Sequence, residues 1–417
     1  MNRHLLALLM VGALTATSYA DWKLVSTGGP DVRYQCGLAF DSSRNVTVMF
    51  GGANVMGLMN DTWEWNGTTW TQKAKSGTVP GVRSLPYFAY DSDRKVTFMF
   101  GGYGSGINGA MNAETWEWNG ASWTQKNVTG PSGRLGGGMA YDANHHVIVL
   151  FGGTTHRDGS GVVGETWTWD GSKWSIASKA GPSPRYNCHM AYDPIRQKVV
   201  LFGGTDVNEN ELGDTWEWNG SQWSEISNGD LIARAHNGMV FDNSMNRTVT
   251  FGGLVENESG PTVAGMETWD GNEWRFVQTQ QSGIPAMRDP SVCYDSHRDR
   301  IVLFGGENSN GNYDFTSTVW EWVPEPIPSL ISFLPGASAN FYQAVVTLAG
   351  PAGADGTVVT FTSNKATAKV TPSIRIPAGK TQGVCIIQTS PTAGPYVTQI
   401  TASVNDASVV GNLDLKH

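Results

Sequence analysis

Apolar and polar positions along most of the chain follow one unit that returns six times, at a spacing of roughly 50 residues. Each unit opens on an arginine: Arg33, Arg83, Arg134, Arg185, Arg234 and Arg288. It runs through a strand of small residues to an aromatic–Asp pair ending at Asp41, Asp91, Asp142, Asp193, Asp242 or Asp295. A β-branched strand follows, such as Val46 to Phe50, and closes on Phe-Gly-Gly. A polar loop of variable length leads into Thr-Trp-Glu-Trp or a variant of it, where Trp63-Glu64-Trp65 alternates with the period of two that a strand requires. Asn66-Gly67, Asn119-Gly120, Asp170-Gly171, Asn219-Gly220 and Asp270-Gly271 then supply positive-φ hairpin turns into a last strand that carries a further Trp. Each unit therefore predicts four short antiparallel strands.

Four strands per repeat of this length are the mark of a propeller blade. The ends of the array support the count. The sixth unit stops after Trp320-Glu321-Trp322, without a hairpin turn or a fourth strand. The missing strand stands before the first arginine, in Asp21-Trp22-Lys23-Leu24-Val25. The prediction is an all-β, six-bladed propeller over 21–323 closed by its N-terminal strand, which leaves no open edge.

The Gly-Gly doublets, the Trp pair and the aromatic–Asp pair together resemble the kelch-repeat propellers, in the variety of galactose oxidase, from about Asp21 to Trp322. The resemblance implies a fold and leaves the activity open, since such propellers range from radical copper oxidases to interaction scaffolds. Repeat five departs from the pattern: Glu267-Thr268-Trp269 lacks one Trp of the pair, which predicts a looser blade.

Residues 324–328 are Pro-rich and read as a linker. From 329 to 417 every repeat marker and every Trp is gone. Alternating runs at 343–348, 357–362, 373–376, 383–388 and 397–404 predict a β-sandwich there. It resembles the immunoglobulin-like modules of exported bacterial proteins.

Composition narrows the function. Of 417 residues, 40% are hydrophobic and 16% charged, which excludes a disordered chain. A net charge of −9 without a basic run argues against nucleic acid as a partner. Residues 1–20 combine a positive start, a short apolar run and Ser18-Tyr19-Ala20, the pattern of a secretory leader cleaved after Ala20. No later apolar stretch approaches a membrane span, so a secreted, periplasmic or cell-surface location is predicted. Cys36, Cys188, Cys293 and Cys385 are widely spaced inside strand-like runs and read as buried small hydrophobes.

The short turns are near copies of one another, whereas the loops after the glycine doublets differ, and variable loops on a rigid frame are where recognition is built. That face offers Tyr103, His156, Arg157, Asp158, Asp206, Glu209, Glu256, Tyr313 and Asp314 as ligand-binding candidates. The arginines recur together with an acid before the Thr-Trp pair (Asp61, Glu114, Glu165, Asp214), which predicts a structural ion pair between blades. All 17 tryptophans fall on repeat positions and are read as core. The oxidase resemblance implies a copper held by two Tyr and two His, with a Cys bonded to one Tyr. Only His189 and His236, near the channel, are candidates, with Cys188 and Tyr186 close in sequence to the first. No ligand motif matches, and that enzyme has seven blades. Neither a nucleophile elbow nor an intact sialidase turn is present. The reading is a binding protein for an extracellular protein or glycan, with no cofactor. A carbohydrate-active or galactose oxidase-like copper enzyme is the alternative.

Overall fold

The computed structural model describes residues 21–73, 78–104, 111–229, 231–255, 260–277, 283–308, 314–323, 328–335, 340–348, 352, 356–377, 379–390, 396–404 and 407–415. The expected leader, residues 1–20, lies outside them. Every regular element among the described residues is a strand. No helix is long and apolar enough to cross a membrane. Contacts divide the chain into two compact units, one of them Asp21–Val323 and the other the part from Pro324 onward.

In Asp21–Val323 the described residues form six four-stranded antiparallel sheets. They are numbered here by their first strands: Gly37–Asp41, Tyr87–Asp91, Gly138–Asp142, His189–Asp193, Gly238–Asp242 and Ser291–Asp295. Each first strand lies beside the next, and the sixth lies beside the first. Sheet 6 takes its outer strand from the start of the chain, since Asp21–Ser26 pairs with Val319–Val323 in a register that sets Trp22 against Trp322.

Aromatic contacts tie neighbouring sheets. The outer-strand Trp of each sheet packs on the Phe that ends the second strand of the sheet before it. Trp123 meets Phe50 at 5.1 Å between ring centroids, and Trp174 meets Phe100 at 5.2 Å. The same contact joins Trp70 to Phe304 at 5.1 Å and Trp22 to Phe251 at 5.0 Å, so sheets 5, 6 and 1 are linked like the rest. Four of these indoles also donate to a threonine of the preceding sheet, as Trp123 Nε1 does to Thr62 Oγ1 at 2.9 Å. The reading of the tryptophans as core holds for all but Trp63, Trp70, Trp167 and Trp216, which are partly buried against the core clusters, and all four cysteines are buried and free.

The arginine reading needs three corrections. Arg33, Arg83, Arg134, Arg185 and Arg234 are fully buried and ion-paired, but each partner belongs to the same sheet and not to a neighbour. Arg185 holds Asp214 with both arms, at 2.6 and 2.7 Å, and also donates to the Gly203 carbonyl at 3.2 Å. The pair thus clamps the loop end of its own sheet. Next, Arg288 is not the sixth member. Gly253 N donates to Met287 O at 2.9 Å just as Gly52 N donates to Arg83 O at 2.9 Å, so Met287 occupies the arginine position, while Arg288 pairs with Glu307 at 2.9 Å. Finally, sheet 5 is not looser. Glu267 replaces the missing Trp and reaches Arg234 at 3.0 and 3.1 Å, with Met266 and Trp269 fully buried on either side.

The second unit has two four-stranded antiparallel sheets. Ile331, Val346, Val359, Phe361, Cys385, Ile387, Ile400 and Leu413 share one core between them. Pro328 opens the strand Pro328–Pro335, so the last residue of the expected linker belongs to this unit, and 324–327 lie outside the described residues.

Candidate functional site

The loop-bearing end of Asp21–Val323 is built in two tiers. In the outer tier the residue after each arginine position bridges the residue after a glycine doublet: Tyr34 to Ala53, Ser84 to Tyr103, Leu135 to Thr154, Tyr186 to Thr205, Ala235 to Leu254 and Arg288 to Glu307. The doublet makes this possible. Gly51 has φ +67°, and a Cβ there would sit 2.6 Å from the Arg83 carbonyl of the next sheet.

The inner tier is one residue further on. Gln35, Leu85, Gly136, Asn187, His236 and Asp289 all have positive φ, between 49° and 71°. Backbone bonds pass between them, with Leu85 N donating to Gln35 O at 2.9 Å, His236 N to Asn187 O at 3.1 Å and Asp289 N to His236 O at 2.9 Å. Five of these six positions, Gln35, Leu85, Gly136, Asn187 and Asp289, line a cavity of about 130 Å³, as does His189. Leu38, Phe88, Met139, Met190 and Val292, from the first strands, give it an apolar floor.

Polarity around this mouth is one-sided. On the side of sheets 4, 5, 6 and 1 the side chains form a continuous relay. Asn187 Nδ2 lies 2.7 Å from His236 Nε2, His236 Nδ1 lies 2.7 Å from Asp289 Oδ1, and Gln35 Nε2 donates to Asp289 Oδ2 at 2.9 Å. Burial works against ionisation of Asp289, but His236 and the Gln35 hydrogen bond overcome it and hold the carboxyl below its ordinary range. On the side of sheets 2 and 3 the same positions are Leu85 and Gly136. His189 stands beside the relay; burial pushes its imidazole down to about 4, so it is neutral at pH 7.

The loop candidates are scattered by comparison. Arg157 Cζ lies 4.9 Å from the Tyr103 ring centroid, and its Nη1 donates to the Tyr103 hydroxyl at 3.3 Å, joining the loops of sheets 2 and 3. Tyr34 stacks on Phe315 at 4.6 Å and 8°, joining sheets 1 and 6. Burial and the carboxylates of Asp289 and Glu307 raise the Tyr34 phenol. Asp158 spends its Oδ1 on Ser160 of its own loop, Asp206 caps the amides of Asn208 and Asn210, and His156 Nδ1 lies 3.0 Å from Thr155 Oγ1. Glu209 takes a positive φ of 63° in the same turn as Asp206. Glu256 and Tyr313 lie outside the described residues, as does the side chain of Asp314, whose backbone pairs with Asn308.

No three His, Cys, Asp or Glu among the described residues are placed to hold a metal together. His236 is committed to Asp289 and Asn187. Gln35, Asn187 and Asp289 escape a reading that attends to the loops. Their signal is positional: they follow the arginine position by two in each repeat, where Asn, Asp and Gly tolerate the left-handed region best.

A comparison with protein families finds no match, and one with curated proteins finds none either. Among solved structures 108 chains match. One of them, described as "Structure of YjhT", superposes with a TM-score of 0.55 at 13% identity, covering 71% of this chain and 96% of its own. At that identity the likeness establishes the fold alone. The chain contains a β-propeller.

Proposed function

We propose that the protein is an exported binding protein: a six-bladed, kelch-type propeller closed by Asp21–Ser26, followed by an immunoglobulin-like sandwich, which captures an extracellular glycan or protein on its loop face. The six sheets, the cyclic order of their first strands and the six Trp–Phe contacts support the closed ring. One observation carries the choice of face. Arg157 lies over Tyr103 at 4.9 Å, in an exposed position, and no carboxylate among the described residues pairs with it. Arg and Tyr are residues in which binding energy concentrates. Arg157→Ala and Tyr103→Ala are expected to weaken capture at least 10-fold, in a pull-down from extracellular material and on a glycan array, with the melting temperature unchanged. Capture at wild-type strength by both variants defeats the choice of face.

A further inference from the structure

The relay at the channel mouth leaves two polar atoms over. Asn187 is only 5% exposed and gives its Nδ2 to His236, but its Oδ1 is enclosed and has no partner. That oxygen faces Gly136, where a Cβ would come within 2.8 Å of it, and Gly136 lines the cavity. Two residues along, His189 Nδ1 is likewise enclosed and without a partner, and His189 lines the same cavity. Buried polar atoms left unmatched cost stability, so two of them on residues that line one cavity point to a group that completes them.

We propose that this cavity is a subsite for an uncharged sugar hydroxyl, held between Asn187 and His189. The inference takes from the preceding reading only that a glycan binds this face. The choice of a neutral hydroxyl rests on three features. A hydroxyl both donates and accepts, so it matches either tautomer of His189 and either end of the Asn187 amide; an ammonium only donates and a carboxylate only accepts. No Lys or Arg lines the cavity, and the Asp289 carboxylate stands in its wall, which opposes an anion. Both oxygens of Asp289 are already engaged, by His236 and by Gln35, so the carboxylate serves to hold the relay. His189 stays neutral at working pH because it is buried, and it offers no charge to a uronate. Leu85, Gly136 and the apolar floor face the carbon skeleton on the other side.

The test uses the full chain and free monosaccharides: glucose, galactose and mannose, each with its uronic acid, together with glucosamine and galactosamine. Binding is followed by titration calorimetry and by the imidazole ¹⁵N resonances of His189. At least one neutral hexose is expected to bind and to shift the His189 Nδ1 resonance. His189→Phe, which keeps a flat ring, is expected to weaken that binding 10-fold or more with the melting temperature held. Asn187→Leu acts as a second variant, since Leu85 already occupies the equivalent left-handed position at φ 49°. A uronic acid or amino sugar that binds more tightly than its neutral parent overturns the proposal, as does wild-type affinity in His189→Phe. If no monosaccharide moves the His189 signal while Arg157-dependent capture persists, the subsite falls and the binding face stands. If capture fails as well, both fall.

Discussion

Sheets 1 to 4 and the seam formed by sheets 5 and 6 are built from the same repeat and share its Trp–Phe packing, but differ in their buried charges. In the regular sheets each buried charge has a side-chain partner, a cation or acid of opposite sign except at Asp142, which meets the His145 imidazole. Arg33 meets Asp61 at 2.6 Å and Arg185 meets Asp214 at 2.6 Å. Asp41 is capped by Arg44, which goes on to Glu64 and lies against Gly120 in the hairpin of the next sheet. At the seam each sheet lacks one of these two couplings and keeps the other: sheet 5 keeps Arg234–Glu267, and sheet 6 keeps Asp295–Arg298–Glu321, with Arg298 against Gly67. In sheet 6, Met287 and Thr318 stand where sheets 1 to 4 have Arg and an acid. Met245 stands where Asp41 would find Arg44, and sheet 6, closed by the two ends of this unit, has no hairpin turn there for a guanidinium to cover. Losing both halves of a buried pair is nearly neutral, whereas losing one leaves a desolvated charge behind. The seam lacks charge where it has been relieved of it in pairs.

The sharpest way to break this comparison is to make sheet 4 half like the seam. Arg185→Met alone leaves the Asp214 carboxylate without its cation, only 14% exposed, with Trp216 Nε1 still donating at 2.6 Å. It is expected to cost about 3–5 kcal/mol in urea unfolding. The double change Arg185→Met with Asp214→Thr copies Met287 and Thr318, and is expected to recover most of that loss. A double variant as unstable as the single one refutes the pairing argument. Burial alone would raise the Asp214 carboxyl, but Arg185 holds it below its ordinary range. Its folded value lies under its unfolded one, so this stability is present above about pH 4 and is lost as pH falls through the folded value. The double variant should lose that part of the acid sensitivity.

A smaller effect of opposite sign is expected where the seam kept one half of a pair. Asp242 is fully buried; its Oδ1 accepts from Ser244 and Met245, its Oδ2 has no partner, and burial raises its carboxyl. Asp242→Asn retains the accepting oxygen and removes the charge, which should raise stability at neutral pH by about 1 kcal/mol. Because the folded value lies above the unfolded one, the charge costs stability at neutral pH, and the cost disappears as acid protonates the wild type. The gain of the variant should therefore shrink as pH falls. The matched change Asp41→Asn, beside Arg44, is expected to destabilise. Gains at both sites, measured by thermal unfolding, would count against the distinction.

The repeat was legible because its markers answer local backbone needs: a glycine doublet where a Cβ at Gly51 would sit 2.6 Å from the next sheet's carbonyl, and Asn-Gly where a hairpin demands positive φ. Pairing was less legible. An acid before the Thr-Trp pair of each repeat is equally consistent with a bond inside a sheet or between two, and only the fold places Asp61 on the sheet of Arg33. The arginine at 288 is one residue late, a slip that the conspicuous residue type conceals and the Met287 carbonyl bond reveals. The inner tier was the hardest to see, since Gln35, Leu85, Gly136, Asn187, His236 and Asp289 have no chemistry in common. They share a backbone angle.

The smallest effect tests the finest difference between seam and regular sheet. Thr62, Thr115, Thr166 and Thr215 each accept from the outer-strand indole of the following sheet, at 2.7 to 3.0 Å. In sheet 6 the corresponding residue is Val319, fully buried in the cluster against which Trp70 packs, and Trp70 Nε1 has no partner. Val319→Thr changes one methyl to a hydroxyl of nearly the same volume and supplies the missing acceptor. A buried hydroxyl costs free energy unless it is bonded, but here it enters beside a donor that is itself unmatched. The net gain is expected to be about 0.5–1 kcal/mol, read as a rise in melting temperature. The reverse change in a regular sheet, Thr62→Val, removes the acceptor of Trp123 and should cost a similar amount. If Val319→Thr destabilises while Thr62→Val also does, the indole bond is not what distinguishes the two places, and Trp70 contributes at the seam through its packing on Phe304.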